Sequence, residues 1–206
     1  MEHSIFSARN YLDVGDFTFS ETQISEISFQ ICTALAHLHE AKIVYHGLRA
    51  ESIMFTSNFE VRLMDFSFSE IVPEDSKESR EGGETNYQRV SHYTAPEITL
   101  GKKYGTSADI WSLGILLLEF ARGSTPLKHQ TPLKAAMSIA DKNVDFLQLI
   151  SQKSFFGEEL SLLLFSCLNY ESEQRPSAKQ LLNDHFVSCG KETHTLYALQ
   201  SITPRE

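Results

Sequence analysis

Cysteine is scarce in this sequence, with three residues among 206, and tryptophan occurs only once. Cys32, Cys167 and Cys189 are odd in number and form no C-x-x-C pair. A disulfide-stabilised domain normally carries an even set of cysteines, so this scarcity indicates free thiols in a reducing compartment. The remaining composition, 41% hydrophobic and 22% charged, is that of an ordinary globular domain able to bury a core.

Positive charge and long apolar runs are also lacking. Lys and Arg total 18 against 27 Asp and Glu, a formal net charge of −9 at pH 7, which argues against a nucleic-acid or anionic-membrane partner. The N-terminus has no apolar core of signal-peptide length, and residues 113–118 and 160–168 are too short or too polar to span a bilayer. We therefore expect a soluble intracellular protein in the cytoplasm, with the nucleus as the second compartment considered.

Helical periodicity dominates what is present. Ser20-Glu21-Thr22-Gln23 has the S-x-x-Q form of a capping box, and apolar residues then recur every three or four positions. This pattern predicts a helix that reaches about residue 39. Ser177 and Gln180 form a second capping box, which predicts a helix through Phe186.

Three further helices are predicted between these two. Residues 107–122 are apolar on every side, which is the pattern of a buried helix, and Gly123 is a suitable stop residue. Pro132, which follows a threonine, opens a second helix, because proline is favoured at the first helical position. Glu158 opens a third, with leucines at helical spacing after it.

Two short apolar runs, residues 53–55 and 61–64, flank a polar link of five residues and predict a β-hairpin. A polar loop precedes the hairpin and an Asp-Phe dipeptide follows it. This order resembles the catalytic centre of a protein kinase, in which the loop H-R-D-L-K-P-E-N, two small strands and the motif D-F-G follow one another. The alignment rests on Leu48, Glu51 and Ile53, and it places Tyr45, His46 and Gly47 at the H-R-D of the family's loop. Arg49 then stands at the loop Lys, Ala50 at the Pro and Ser52 at the metal-binding Asn. Asp65-Phe66-Ser67 stands at D-F-G.

Further motifs of the family occur in the expected order. Met1-Glu2-His3 resembles the M-E-Y hinge, where Glu2 and His3 would lie beside a nucleotide. Residues 93–97 resemble the A-P-E segment, residues 109–114 resemble D-x-W-S-x-G, and residues 175–177 resemble R-P-[ST]. The resemblance implies structural roles for four residues: an ion pair between Glu97 and Arg175, hydrogen bonds from the catalytic-loop backbone to Asp109, and a place in the central helix for Trp111.

The resemblance covers residues 1–187 and only the large lobe of a kinase. It implies a mainly α fold, a protein-kinase-like C-terminal lobe with a small β-hairpin. In this interpretation the chain begins at the hinge and the N-terminal lobe is absent. Residues 188–206 form a C-terminal tail to which the sequence assigns no role.

The residues of the loop depart from the family's chemistry. Gly47 cannot accept a proton, and the hydroxyl of Ser52 is a far poorer ligand for a hard cation than an asparagine carbonyl backed by a carboxylate. We therefore predict no catalytic residue and no metal site. ATP is the cofactor that the resemblance implies, and Asp65 is its vestigial contact, but these losses argue against binding and no cofactor is predicted. The degenerate positions are Tyr45, His46, Gly47, Arg49 and Ser52.

The run Leu48-Arg49-Ala50 resembles the STRAD-type, STE20-related adaptor pseudokinases, although that group tends to lose the Asp-Phe pair kept here as Asp65-Phe66. This resemblance implies a non-enzymatic adaptor or allosteric activator, whose partner is a protein kinase or a helical-repeat scaffold protein. Two alternatives stay open: a truncated Ser/Thr kinase whose small lobe is encoded upstream, and a degenerate product without a function. The expected docking face lies around Phe6, Phe55, Phe66 and Phe68.

Overall fold

The computed structural model describes residues 6–72, 90–151, 156–202 and 204. Helices dominate these ranges, in agreement with the predicted mainly α, kinase-like lobe. The helices are α1 (Ala8–Leu12), α2 (Glu21–Glu40), α3 (Pro96–Thr99), α4 (Ser107–Arg122), α5 (Pro132–Ala140), α6 (Phe146–Ile150), α7 (Glu158–Cys167), α8 (Ala178–Leu181) and α9 (His185–Cys189). The strands are β1 (Phe6–Ser7), β2 (Ile43–Val44), β3 (Ile53–Phe55), β4 (Val61–Leu63) and β5 (Glu70–Ile71).

Helices α2 and α4 pack together at the centre of the core, and the sequence predicts both. α2 begins at the capping box, where Gln23 accepts the Ser20 N–H at 2.9 Å and the Ser20 hydroxyl accepts the Gln23 N–H. On its apolar face Ile24, Ile27, Ile31 and Leu35 are fully buried, and Leu38 is partly buried. α4 is buried on every side and ends at Gly123, whose φ of 76° is a left-handed conformation that favours glycine.

Two small antiparallel sheets hold the predicted catalytic loop between them. The hairpin is confirmed: β3 pairs with β4, with Ile53 opposite Leu63, and β1 adds to the other edge of β3. The second sheet pairs β2, just before the loop, with β5, just after the Asp-Phe turn. Pairing on both sides fixes the loop between two strand ends.

The expectation that Phe55 belongs to an exposed face is wrong. Its side chain is buried, with its ring centroid 5.6 Å from Tyr11 and 6.2 Å from Phe19. Phe55 alternates with Met54 along β3, and the alternation of side chains along a strand turns Phe55 towards the core. Phe6 and Phe68 are half-buried.

The helix predicted from Ser177 through Phe186 is also wrong as a single element. α8 stops at Leu181, and α9 starts again at His185. The break lies at Asp184, which has extended backbone angles and a side chain that accepts the Val187 N–H at 3.3 Å. An aspartate favours such a cap over a helix interior, because its side chain competes for backbone hydrogen bonds.

The folded unit continues beyond residue 187. Leu196 and Leu199 are buried in the core, in a 3₁₀ segment (Thr195–Ser201) that packs against α2. The buried Glu26 carboxylate on α2 accepts the backbone N–H of Thr195 at 2.6 Å and that of Leu196 at 3.2 Å. No helix among the described residues is long and apolar enough to cross a membrane.

Candidate functional site

Asp109, in the first turn of α4, anchors the backbone of the predicted catalytic loop. Its carboxylate is fully buried and accepts the N–H groups of Tyr45 and His46, each at 2.8 Å. His39, at the end of α2, lies 2.9 Å from the same carboxylate through Nε2. Three contacts to one buried carboxylate fix where the loop starts, as the resemblance implies for Asp109.

The Gly47 backbone, at the family's catalytic aspartate, is covered closely on one side. A Cβ at this residue would lie 2.8 Å from the Asp65 carbonyl oxygen and 2.9 Å from Cζ of Tyr45. The Tyr45 ring is fully buried, its hydroxyl donates to the Met64 carbonyl, and Phe66 packs on it at 5.1 Å between ring centroids. Burial raises the pKa of Tyr45 to about 12, so the phenol is neutral. The space for a side chain at position 47 is therefore already filled.

Arg49 binds Asp65 directly. One guanidinium nitrogen donates to Asp65 Oδ2, and Asp65 Oδ1 accepts from the hydroxyl and the N–H of Ser67. These Ser67 bonds, with a smaller contribution from Arg49, hold the pKa of Asp65 below its usual range. Both carboxylate oxygens are thus engaged within the chain.

Ser52, at the family's metal-binding asparagine, is buried and directs its hydroxyl at the loop itself. The hydroxyl lies 2.6 Å from the Gly47 carbonyl and 2.9 Å from the Arg49 carbonyl as donor, and it accepts the Arg49 N–H at 3.1 Å. Ser52 therefore closes the turn of the loop, because its one proton points at the loop carbonyls and its oxygen accepts a loop N–H.

The ion pair predicted between Glu97 and Arg175 is present. Two guanidinium nitrogens donate to the two carboxylate oxygens at 2.7 and 2.9 Å, and both side chains are buried. Arg175 also donates to the carbonyls of Asn169 at 2.7 Å and Ser107 at 3.0 Å, and it lies 5.0 Å over the Trp111 ring. This cluster joins α3 to α4 and to the turn before α8.

A second network, which the sequence did not predict, is centred on the buried Glu119 and Tyr93. Arg9 on α1 donates to Glu119 of α4 at 2.6 Å and to Glu51 of the loop at 2.9 Å. The Tyr93 hydroxyl donates to the other Glu119 oxygen at 2.5 Å and accepts the Ala50 N–H at 3.4 Å. Burial raises the pKa of Glu119, and Arg9 opposes this shift.

The sequence does carry a signal for this network. Glu119 is an acidic residue inside a helix that is otherwise apolar on every side, and a carboxylate is rarely buried without a partner. The partner could not be identified, because Arg9 lies 110 residues away in the sequence. No spacing rule connects residues so far apart.

Replacing Arg9 with methionine should destabilise the fold, and more so at neutral pH than at about pH 5. Without the guanidinium, the buried Glu119 loses its cation and its pKa rises further. A carboxyl whose folded-state pKa lies above the unfolded value binds a proton on folding, so its cost falls as the pH is lowered. We expect a loss of about 2–3 kcal/mol at neutral pH, measured by urea denaturation.

Lys179→Met is the matched control, since it breaks an exposed pair with Glu40 and should change stability little at either pH. An Arg9→Met loss that is equally small, or independent of pH, would show that Arg9 does not stabilise the Glu119 charge.

Comparison with known proteins supports the kinase-like fold described above. Residues 4–187 match the family model described as the protein kinase domain. The chain belongs to the protein kinase domain family. It is 32% identical to the serine/threonine-protein kinase PAK 1 of Mus musculus over 93% of this chain, and 30% identical to the serine/threonine-protein kinase pak-1 of Caenorhabditis elegans over 85%. It is 28% identical to the serine/threonine-protein kinase STE20 of Kluyveromyces lactis over 91%.

The matched region is only part of each relative. The chain spans 32% of the length of the mouse protein, 29% of the nematode protein and 19% of the yeast protein. The family membership therefore describes this lobe, and the activities and partners of the longer relatives come to this chain only as proposals.

The kinase domain implies ATP and Mg²⁺, and the residues of this loop do not fit the metal. Mg²⁺ requires oxygen ligands in near-octahedral geometry, usually including carboxylates. Here Ser52 is bonded to the loop backbone, Asp65 is bonded to Arg49 and Ser67, and position 47 has no side chain. Across the described ranges, no group of three or more His, Cys, Asp or Glu side chains could hold a metal ion. The predicted hinge contacts Glu2 and His3 lie outside the described residues.

Proposed function

We propose that this kinase-domain lobe is a pseudokinase, which acts through protein contacts as an adaptor or allosteric activator of a protein kinase in intracellular signalling. The observation that carries the proposal is the filled space at Gly47. Phosphoryl transfer by a kinase requires a carboxylate that orients the attacking hydroxyl, together with bound Mg²⁺. This chain has no carboxylate at position 47, and its Asp65 carboxylate is bonded to Arg49 and Ser67, while its fold and its structural ion pair are intact.

Exposed apolar side chains near the loop support a docking role. Met64 is 54% exposed, Phe66 49% and Ile71 74%, and all three follow the hairpin within eight residues of one another. Apolar side chains of this size are costly to leave in water, so a partner that covers them would gain stability from their burial. The proposed partner is a protein kinase or a helical-repeat scaffold protein, on the resemblance to the STRAD-type adaptors.

A second candidate is a Ser/Thr kinase of which this chain is one part, with the small lobe encoded upstream. The relatives are named serine/threonine-protein kinases, and the chain covers a third or less of each, so the comparisons are equally compatible with it. The filled space at Gly47 argues against it, because that feature does not depend on what precedes the chain. In-frame kinase sequence ahead of Met1 would favour this candidate.

The proposal is tested first by phosphotransfer. The purified chain, incubated with radiolabelled ATP and Mg²⁺ or Mn²⁺, is expected to label neither itself nor generic protein substrates above the level of an Asp65→Asn variant. The reason is the lack of a carboxylate at position 47. Labelling that survives stringent purification and disappears in Asp65→Asn would contradict the proposal.

The adaptor role is tested by affinity capture with the matched pair Phe66→Ser and Leu162→Ser. Both remove an exposed apolar side chain, but Leu162 lies on α7, remote in sequence from the loop. A protein kinase or helical-repeat protein identified in the capture should be lost with Phe66→Ser and kept with Leu162→Ser. Equal recovery with both variants would exclude the Phe66 face as the docking surface.

A further inference from the structure

The Asp65-Phe66-Ser67 turn is held by side-chain contacts. Asp65 has a φ of 62°, a left-handed conformation that aspartate tolerates through local hydrogen bonds, and its Oδ1 accepts the Ser67 N–H. The two residues that follow Asp65 are also held in place: Ser67 bonds to Asp65, and Phe66 packs on Tyr45. The remaining oxygen of Asp65 accepts from Arg49. The turn is therefore closed by groups of this chain alone.

Arg49 and a divalent cation would compete for the same oxygen. A guanidinium satisfies a carboxylate through charge and directional hydrogen bonds, whereas a metal ion uses the same lone pairs for coordination. The Arg49 and Asp65 side chains are 34% and 33% exposed, so the pair is accessible to ions yet already formed. A metal ion could bind Asp65 only if it displaced the guanidinium, and the positive charge of Arg49 would then remain nearby and repel it.

We propose that Arg49 takes the place of the divalent cation in this kinase domain, so that the turn is formed, and Phe66 is presented, in the absence of Mg²⁺ or Mn²⁺. This inference rests on the proposed function at one point, the docking role of Phe66. The conformation of a docking face built in this way does not depend on metal or on nucleotide. Regulation of the contact would then have to act on the partner or on another segment of the chain.

The test measures melting temperature and Mn²⁺ binding for the full chain and five variants. In the parent chain, millimolar Mg²⁺ or Mn²⁺ should leave the melting temperature unchanged relative to EDTA at matched ionic strength, and titration should detect no bound Mn²⁺ by electron paramagnetic resonance. Arg49→Met removes the guanidinium and should lower the melting temperature by about 2–4 °C, because a partly exposed ion pair is lost. Mn²⁺ should then associate weakly with the unpaired Asp65 carboxylate as a counter-ion, and should recover part of that loss.

Two variants identify the site of any effect, and one serves as the control. Mn²⁺ binding gained by Arg49→Met should disappear in the double variant Arg49→Met/Asp65→Asn. Arg49→Lys, which keeps the charge, should bind less Mn²⁺ than Arg49→Met. Arg62→Met breaks an exposed arginine–glutamate pair on the adjacent strand and should show no response to metal.

Two results would overturn the inference. One is a metal-dependent rise in the melting temperature of the parent chain that Asp65→Asn abolishes. The other is an Arg49→Met variant that is as stable as Arg62→Met and binds no Mn²⁺. Neither result alters the phosphotransfer assay or the Phe66→Ser capture, so the inference can fail while the proposed function stands.

Discussion

Replacing Gly47 with aspartate, the family's catalytic residue, is expected to destabilise the lobe and not to produce phosphotransfer. The new Cβ would lie 2.8 Å from the Asp65 carbonyl oxygen and 2.9 Å from the Tyr45 ring. The oxygen is part of the backbone, and the ring is buried with its hydroxyl bonded to Met64, so neither can move freely. Overpacking costs about 1–3 kcal/mol, and a carboxylate forced against a buried ring adds to it. We expect a loss of about 3 kcal/mol or more in urea denaturation.

Two alanine variants separate the causes. Gly47→Ala isolates the steric cost and should lie between Gly47→Asp and the parent chain. Gly15→Ala is the control: its φ of 58° makes alanine strained by about 1 kcal/mol, but no atom lies within 4 Å of the new Cβ. In a Tyr45→Ala background the cost of Gly47→Ala should shrink. A Gly47→Ala variant as stable as the parent would show that the space is not filled.

Arg175→Ala should produce the other large loss of stability, on the order of 3–5 kcal/mol, because a buried carboxylate is left without its cation. The Arg175 side chain is fully buried, and it gives hydrogen bonds to Glu97, Asn169 and Ser107 together. For a chain of this size, the melting temperature should fall by on the order of 10 °C in a calorimetric scan.

Lys191→Ala, on the surface, is the control for Arg175→Ala and should leave the melting temperature unchanged. The double variant Glu97→Gln/Arg175→Met should lose less than Arg175→Ala, since it leaves no unpaired charge in the interior. Equal and small effects from Arg175→Ala and Lys191→Ala would show that the pair contributes little.

The sequence predicted the parts of the fold that depend on local patterns. The capping box at Ser20 and the all-apolar run ended by Gly123 placed α2 and α4, and two short apolar runs around a polar link placed the hairpin. The pairing of Glu97 with Arg175 came from the family resemblance, since no local rule joins residues 78 positions apart.

What the sequence could not predict depends on packing between distant segments. Tyr45 covers Gly47 because the Asp-Phe turn folds back on the loop. The residue types at positions 45 and 47 do not predict this contact. Arg9 meets Glu119 only because α1 packs beside the loop. The break between α8 and α9 was missed because Asp184 was counted within a helix, where an aspartate can instead begin a new one.

The contact between Tyr45 and Gly47 also restricts the order in which this sequence can change over evolution. A return to aspartate at position 47 passes through a destabilised chain unless the residue at position 45 has changed first, because the two costs are coupled. A chain close to its stability threshold cannot tolerate such an intermediate, so selection removes it before the second change arises. The glycine is thereby entrenched.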